Sequence, residues 1–343
     1  MKAVVIREFG DFDVLQVEEV PTPKPRAGYV LIKILAAGIN RFEDYLREGS
    51  VVPELAFPHI LGADAAGEIA ALGDGVTGFK VGQRVIPVSG YPTSPEERDI
   101  SPAATAPSFA LLGLQIPGTY AQYVEVPAHF VLKDDTGLTP EEVATLPVVL
   151  STSVRAVKTV GGVKAGDKVL IHAGAGGAGN MQIQVAKALG AEVATTIRQD
   201  SKVEVARKAG ADLIINTTNE DFVAKVQEWS NGGVDVVIDS LGGEVLPKSI
   251  EAARPLGTIV AYGFADSPNV SFDIRSLFFA QKRLVGTMAS DKSDLEAGLE
   301  MLKDGKIKPI VDRTLPLKKA AEAHRLLATS QIAGNVVLLP WAV

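Results

Sequence analysis

The stretch IHAGAGGAGNMQIQVAKALGA, Ile171 to Ala191, places Gly174, Gly176, Gly177 and Gly179 within six positions and then turns strongly helical. A strand-like run, DKVLIHA, leads in. Behind the glycines, Met181, Ile183, Val185, Ala186 and Leu189 give the helix its apolar residues. Strand, glycine turn and helix in this order make a phosphate site: N–H groups at the helix N-terminus point at the anion, and no Cβ blocks its approach. Gly174, Gly176, Gly177, Ala178 and Gly179 are therefore expected to hold a phosphate-bearing cofactor. A tight turn without ligand would read the same over eight residues, so the surroundings must decide.

They favour the cofactor. Turn-punctuated apolar runs recur after Asp167 (AEVATTI, ADLIINT, VDVVIDS, GTIVAYG, RLVGTMA), separated by helical stretches such as SKVEVARKAG and NEDFVAKVQEWSNGG. Alternating strand and helix predicts an α/β, doubly wound parallel sheet with the glycine turn after its first strand. The segment before it differs in texture. YVLIKILAAGI, GEIAALG, QRVIPV and TYAQYVEV are short β-type runs cut by Gly and Pro, which predicts a barrel-like β domain. Beyond Ser290, two helices and two strands do not continue the alternation and are assigned back to that first domain. The division expected is 1–124 with 290–343 for the β domain, and 125–289 for the dinucleotide-binding domain.

At 343 residues the chain has length for two cores, and it carries no cysteine. Disulfides are excluded and nothing points to an oxidising compartment. The formal charge of −7 is spread without basic blocks, which argues against nucleic acid and anionic membranes as partners. No run has the length of a signal or membrane segment. A cytoplasmic protein acting on a small molecule is the expectation.

Three segments in this order, HILGADAAGEIAALGDGVTGFKVGQRV, ATLPVVLSTSVRAV and HAGAGGAG, carry a resemblance along nearly the whole chain. It resembles the medium-chain dehydrogenase/reductases, with a GroES-like catalytic domain and a Rossmann domain, and within them the zinc-free quinone oxidoreductase (zeta-crystallin-like) branch. Where the zinc branch has a His-Glu pair, this chain has Ala63 and Asp64; where it has a ligand cysteine, this chain has Asn40. The residues speak against a metal on their own. Catalytic zinc needs three convergent protein ligands, no thiolate exists, and none of the four histidines sits at i, i+3 or i+4 from another. No metal is expected.

An acidic residue at the end of the second strand would bond the ribose 2′-OH of NAD. That strand ends here in Arg198-Gln199-Asp200-Ser201-Lys202. A guanidinium suits a 2′-phosphate, so Arg198, with Lys202 a turn later, predicts NADPH, while Asp200 keeps NAD open. The resemblance implies a phosphate-binding tyrosine at a place that holds Thr217. It adds Thr152 at the cofactor and, near the nicotinamide, an Asn and a Tyr five residues on. These are Asn40 and Tyr45, the expected catalytic pair, with Glu43 between them. Gly263 and Gly286 are expected to let the cofactor lie close to backbone.

Without a Lewis acid, a quinone or another α,β-unsaturated carbonyl is an easier hydride acceptor than a simple ketone, because charge delocalises to a hydrogen-bonded oxygen. The expected function is an NADPH-dependent, metal-independent reductase of such acceptors. Enone or enal reduction, or a low-turnover NADPH-binding role as in crystallin-like relatives, are the alternatives. The Pro-rich stretch from Tyr91 to Gly118 reads as a cover bringing Phe109, Leu111 and Leu112 to the substrate mouth, as a dimer contact, or as a plain surface loop. RLVGTMA, the last strand of the parallel series, has no proline and one charge, so an edge-to-edge homodimer is expected.

Overall fold

Strand β1 (Tyr29–Ile39), eleven residues long, is the spine of the first part of the structure. Its neighbours are all antiparallel: Ala66–Leu72, Tyr123–Pro127 and the C-terminal strand Asn335–Leu339. The last of these in turn pairs in parallel with Val311–Pro316. The computed structural model describes residues 1–342. They divide into two compact units, the first comprising Met1–Val148, Ser290–Leu295 and the chain from Pro309 onward, the second Val149–Ala289 and Glu296–Lys308. The division falls later than 124/125 for a physical reason. Tyr123–Pro127 is hydrogen-bonded to β1, and Val131–Lys133 to Arg84–Pro87, so both strands are held in the β unit.

β1 ends in helix α1 (Arg41–Glu48). Asn40 is its N-cap, with extended backbone, and Glu43 in the first turn accepts the Asn40 N–H. Gly49 closes the helix in the left-handed region, at φ 75°. The Tyr91–Gly118 stretch is not a bare loop. Gly90–Pro92 pairs with Phe109–Leu111 as a hairpin, and Asp291 accepts from the Ser101 hydroxyl and the Ala103 N–H. Leu112 is 1% exposed. It is part of the core and lines no mouth, because the hairpin turns it inward.

The second unit is built on six parallel strands: β2 (Lys168–Ile171), β3 (Glu192–Ile197), β4 (Leu213–Asn216), β5 (Val234–Asp239), β6 (Ala253–Ala261) and β7 (Arg283–Gly286). Their order is β4-β3-β2-β5-β6-β7, the doubly wound dinucleotide-binding order, with helix α2 (Gly177–Ala188) following β2. Leu170, Ala194, Val237 and Ile259 from four of these strands sit in one core with Phe222, Val226 and Ile250. Sheets covered on both faces read as continuous apolar runs, and β3 is buried at five of its six residues. β7 is the edge, and Leu256, Phe278, Phe279 and Met288 in the same unit are large exposed hydrophobics. No helix of the described residues is long and apolar enough to cross a membrane.

Candidate active site

The glycines of the loop differ in what surrounds them. A Cβ on Gly174 would lie 2.1 Å from Thr195 Oγ1, and one on Gly179 would lie 2.3 Å from the Ala173 carbonyl oxygen. These two glycines let β2, β3 and α2 pack. Gly176 is different: a Cβ there would meet nothing nearer than the Ala173 oxygen at 3.4 Å. Its absence leaves the N-cap of α2 bare, and the N–H groups of Gly177, Ala178 and Gly179 in the first turn lack intrahelical acceptors. This division of labour fits a pyrophosphate.

Four side chains that sequence reasoning did not single out hold the loop's base. His172, fully buried, bonds Thr196 Oγ1 through Nδ1 (3.0 Å) and Ser249 Oγ through Nε2 (2.9 Å). Ser249 donates to Asp239 Oδ2 at 2.7 Å, and Asp239 Oδ1 accepts the Leu241 and Gly242 N–H groups. Burial lowers the imidazole's proton affinity against the pull of Asp239 and so favours the neutral ring. With Ser249 donating to the carboxylate, Nε2–H donates to Ser249 and Nδ1 accepts from Thr196. The chain of bonds ties the ends of β2, β3 and β5. Nothing in the sequence pointed to it, since its members lie on or next to three separate strands and on a helix.

At the end of β3, Arg198 is exposed, and its guanidinium has no hydrogen bond or ion pair among the described residues. Asp200 is not equally available: its Oδ1 accepts from Asn216 Nδ2 at 2.7 Å. Thr217 donates to the Ile197 carbonyl, and Lys202 lies in the short turn that follows. Gly263 packs against the Ser240 backbone, where a Cβ would lie 2.5 Å from its oxygen, whereas Gly286 on β7 faces open space. Thr152 is half-buried in the helix Pro147–Val154.

In the first unit the structure brings together a set of polar groups around α1. Asn40 Nδ2 points at Asp64 Oδ2 (3.0 Å) and at Glu43 Oε1 (3.4 Å). The amide hydrogens of Asn40, one of the expected catalytic pair, are directed at two buried acids, and the residue caps the helix. Asp64 Oδ1 also accepts from the Val148 N–H at 2.7 Å and Ser89 Oγ at 3.2 Å. Glu43 accepts the Asn40 N–H on Oε2 and the Ala63 N–H on Oε1. Burial, then the neighbouring Asp64, pushes Glu43 up to about 8. Burial pushes Asp64 up to about 6 against the pull of its donors. On the other side of α1, Arg47 donates to Asp44 and Glu48, and Arg41 to the Leu327 carbonyl. Tyr45 is half-buried, with its hydroxyl proton held more tightly by that burial. Among the described residues no group of three or more His, Cys, Asp or Glu converges as a metal site would.

Residues 26–136 match the alcohol dehydrogenase GroES-like domain, and residues 177–304 match the domain described as zinc-binding dehydrogenase. The 2-haloacrylate reductase of a Burkholderia species is 33% identical, covering 99% of both chains. The chain is a medium-chain dehydrogenase/reductase. Human quinone oxidoreductase is 28% identical over 99% of this chain and 98% of its own. A crystal structure of an NAD-dependent alcohol dehydrogenase superposes with a TM-score of 0.94 at 34% identity, covering 99% of each chain. This medium-chain dehydrogenase/reductase is an oxidoreductase that takes a nicotinamide cofactor. It falls in the branch without zinc ligands, where Asn40, Ala63 and Asp64 fill the ligand places and bond to one another or to Glu43.

Proposed function

We propose that this enzyme is an NADPH-dependent, metal-independent reductase of activated alkenes and quinones. The observation that carries it is the set Asn40, Ala63 and Asp64: with the Asn40 amide bonded to Asp64, a methyl at Ala63 and no thiolate in the chain, no ligand set is left for a metal that would polarise a simple carbonyl. Acceptors already activated by conjugation fit that chemistry. The 2-haloacrylate reductase and the human quinone oxidoreductase bear names of that class.

Gly174, Gly176, Gly177, Ala178 and Gly179 would hold the pyrophosphate, and Arg198 with Lys202 the 2′-phosphate. Thr152, Gly263 and Gly286 would line the remainder. The reduced nicotinamide supplies the hydride when bound. What the chain must add is a donor for the charge that develops on the substrate oxygen, and a proton. Tyr45 is the candidate for the donor. Asn40, its amide turned to Asp64, serves by holding α1. Arg198 supports NADPH over NADH, since its guanidinium is unpaired among the described residues while Asp200 accepts from Asn216.

The direct test incubates the protein with NADPH and, separately, a 2-haloacrylate, an acryloyl thioester, a quinone and a simple ketone, following absorbance at 340 nm. Oxidation with the conjugated acceptors and not the ketone is expected. Turnover of the ketone alone would overturn the reading, and saturable binding without any oxidation would favour the low-turnover alternative.

We also propose a homodimer joined along β7. Its outer edge has no partner strand among the described residues, and exposed Leu256, Phe278, Phe279 and Met288 in the same unit present apolar surface. Val285→Lys is expected to move the protein to monomer in sedimentation without removing the glycine-loop site, which shares no residue with β7. A wild type that sediments as a monomer at micromolar concentration would sink this proposal.

A further inference from the structure

Glu43 and Asp64 are each 1% exposed, and both accept from the same amide, Asn40 Nδ2. Neither has a cation within ion-pair distance among the described residues. Two carboxylates cannot both ionise in such a place without one being strongly disfavoured. Their donors are unequal. Asp64 receives three, from Asn40, Ser89 and the Val148 N–H; Glu43 receives two backbone N–H groups and the longer contact to Asn40. Asp64, whose donors lie at 2.7, 3.0 and 3.2 Å against 2.9, 3.0 and 3.4 Å for Glu43, keeps the charge. The remaining titratable groups facing the pair do not neutralise it: Tyr120, wholly buried, has no hydrogen-bond partner for its hydroxyl, and Asp44 on the same helix is taken up by Arg47 and His324.

We propose that Glu43 and Asp64 hold one proton between them, resident on Glu43, and that the pair is a positioning device. It fixes Asn40 and, with it, the first turn of α1, the helix that carries Tyr45. Asp64 joins four segments at one carboxylate: its own, the end of β1 through Asn40, the chain after Arg84–Pro87 through Ser89, and the helix start at Val148. Its backbone oxygen adds the Gly38 N–H and Thr119 Oγ1. Hydrogen bonds thereby cross-link the positions that hold zinc ligands elsewhere in the family. The kinetic part of this proposal rests on the reductase reading; the structural part does not.

Glu43→Gln tests it, because glutamine has the same size, keeps one acceptor oxygen and cannot ionise; the two curves are compared by their slope with pH. A group whose folded-state value lies above its unfolded one contributes stability that is fully present below the unfolded value and lost as pH rises to the folded one. For Glu43 that window runs from the ordinary carboxyl value of 4.5 to about 8. Between pH 5 and 8.5 the wild-type melting temperature should fall more steeply than that of Glu43→Gln, with the curves separating by roughly 3–6 °C. In turnover, the wild-type kcat/KM should decline above pH 8 through a limb that Glu43→Gln lacks. Asp64→Asn, which removes the like charge, should likewise flatten the melting curve. Parallel melting curves for wild type and Glu43→Gln would overturn the shared proton. If the melting curves diverge but the alkaline limb persists in Glu43→Gln, the positioning role is overturned. Absence of any acceptor turnover strikes only the reductase reading, since the melting arm needs none.

Discussion

Gly179→Val should reduce nicotinamide cofactor affinity by at least about a hundredfold, close to loss of binding at micromolar protein. The new Cβ would sit 2.3 Å from the Ala173 oxygen, 2.7 Å from its carbonyl carbon and 3.0 Å from the His172 oxygen. All three are backbone atoms, so no side chain can swing aside; either α2 or the loop must move. Displacements of that size in a site that depends on N–H direction remove most of its anion affinity, and the strain costs about 1–3 kcal/mol of stability as well. Gly176→Ala is the matched comparison. Its Cβ meets only the Ala173 oxygen at 3.4 Å, so the fold should keep its melting temperature while affinity falls about tenfold, because the methyl enters the space a phosphate approaches. Fluorescence titration with NADPH and a melting curve on both variants check this. Wild-type affinity in Gly179→Val would show that the loop does not hold the cofactor.

Arg198→Ala should weaken NADPH binding by about tenfold to a hundredfold and leave NADH within about twofold. The estimate follows from the worth of a charge-assisted bond to phosphate, about 1.5–3 kcal/mol. The guanidinium is exposed and unpaired, so its removal leaves no buried partner stranded and should not lower the melting temperature. Equal loss of both cofactors would mean that Arg198 does not read the 2′-phosphate. A gain in NADH affinity would instead point to Asp200, now held by Asn216, turning to the ribose.

Much of the fold was legible because its signals are local. The six strands of the second unit announce themselves as apolar runs, and G-x-G-x-x-G marks where β2 ends and α2 begins. A glycine's need is also local when, as at Gly174 and Gly179, the clash is with the strand it leaves or the strand next to it. The C-terminal return to the β domain was readable from a break in periodicity, and Asn335–Leu339 pairs with β1.

The site was legible only in part. Arg198 stands out in the chain because β3 places it, and its freedom from partners needed the structure only to show Asp200 engaged elsewhere. Asn40 could not be read this way. A sequence gives the amide but not the direction of its hydrogens, and that direction is set by Asp64, 24 residues on. Leu112 likewise looked like part of a cover and lies in the core because a hairpin begun at Gly90 turns it in. The chain by itself thus determined the parallel sheet, the glycine turn between β2 and α2 and the lack of thiolate ligands, since each follows from periodicity, from missing side chains or from composition. Tertiary structure decided what the polar groups around α1 do. The proton affinities of Glu43 and Asp64 and the aim of Asn40 arise from burial and from donors on distant segments, and these exist only once the chain has folded.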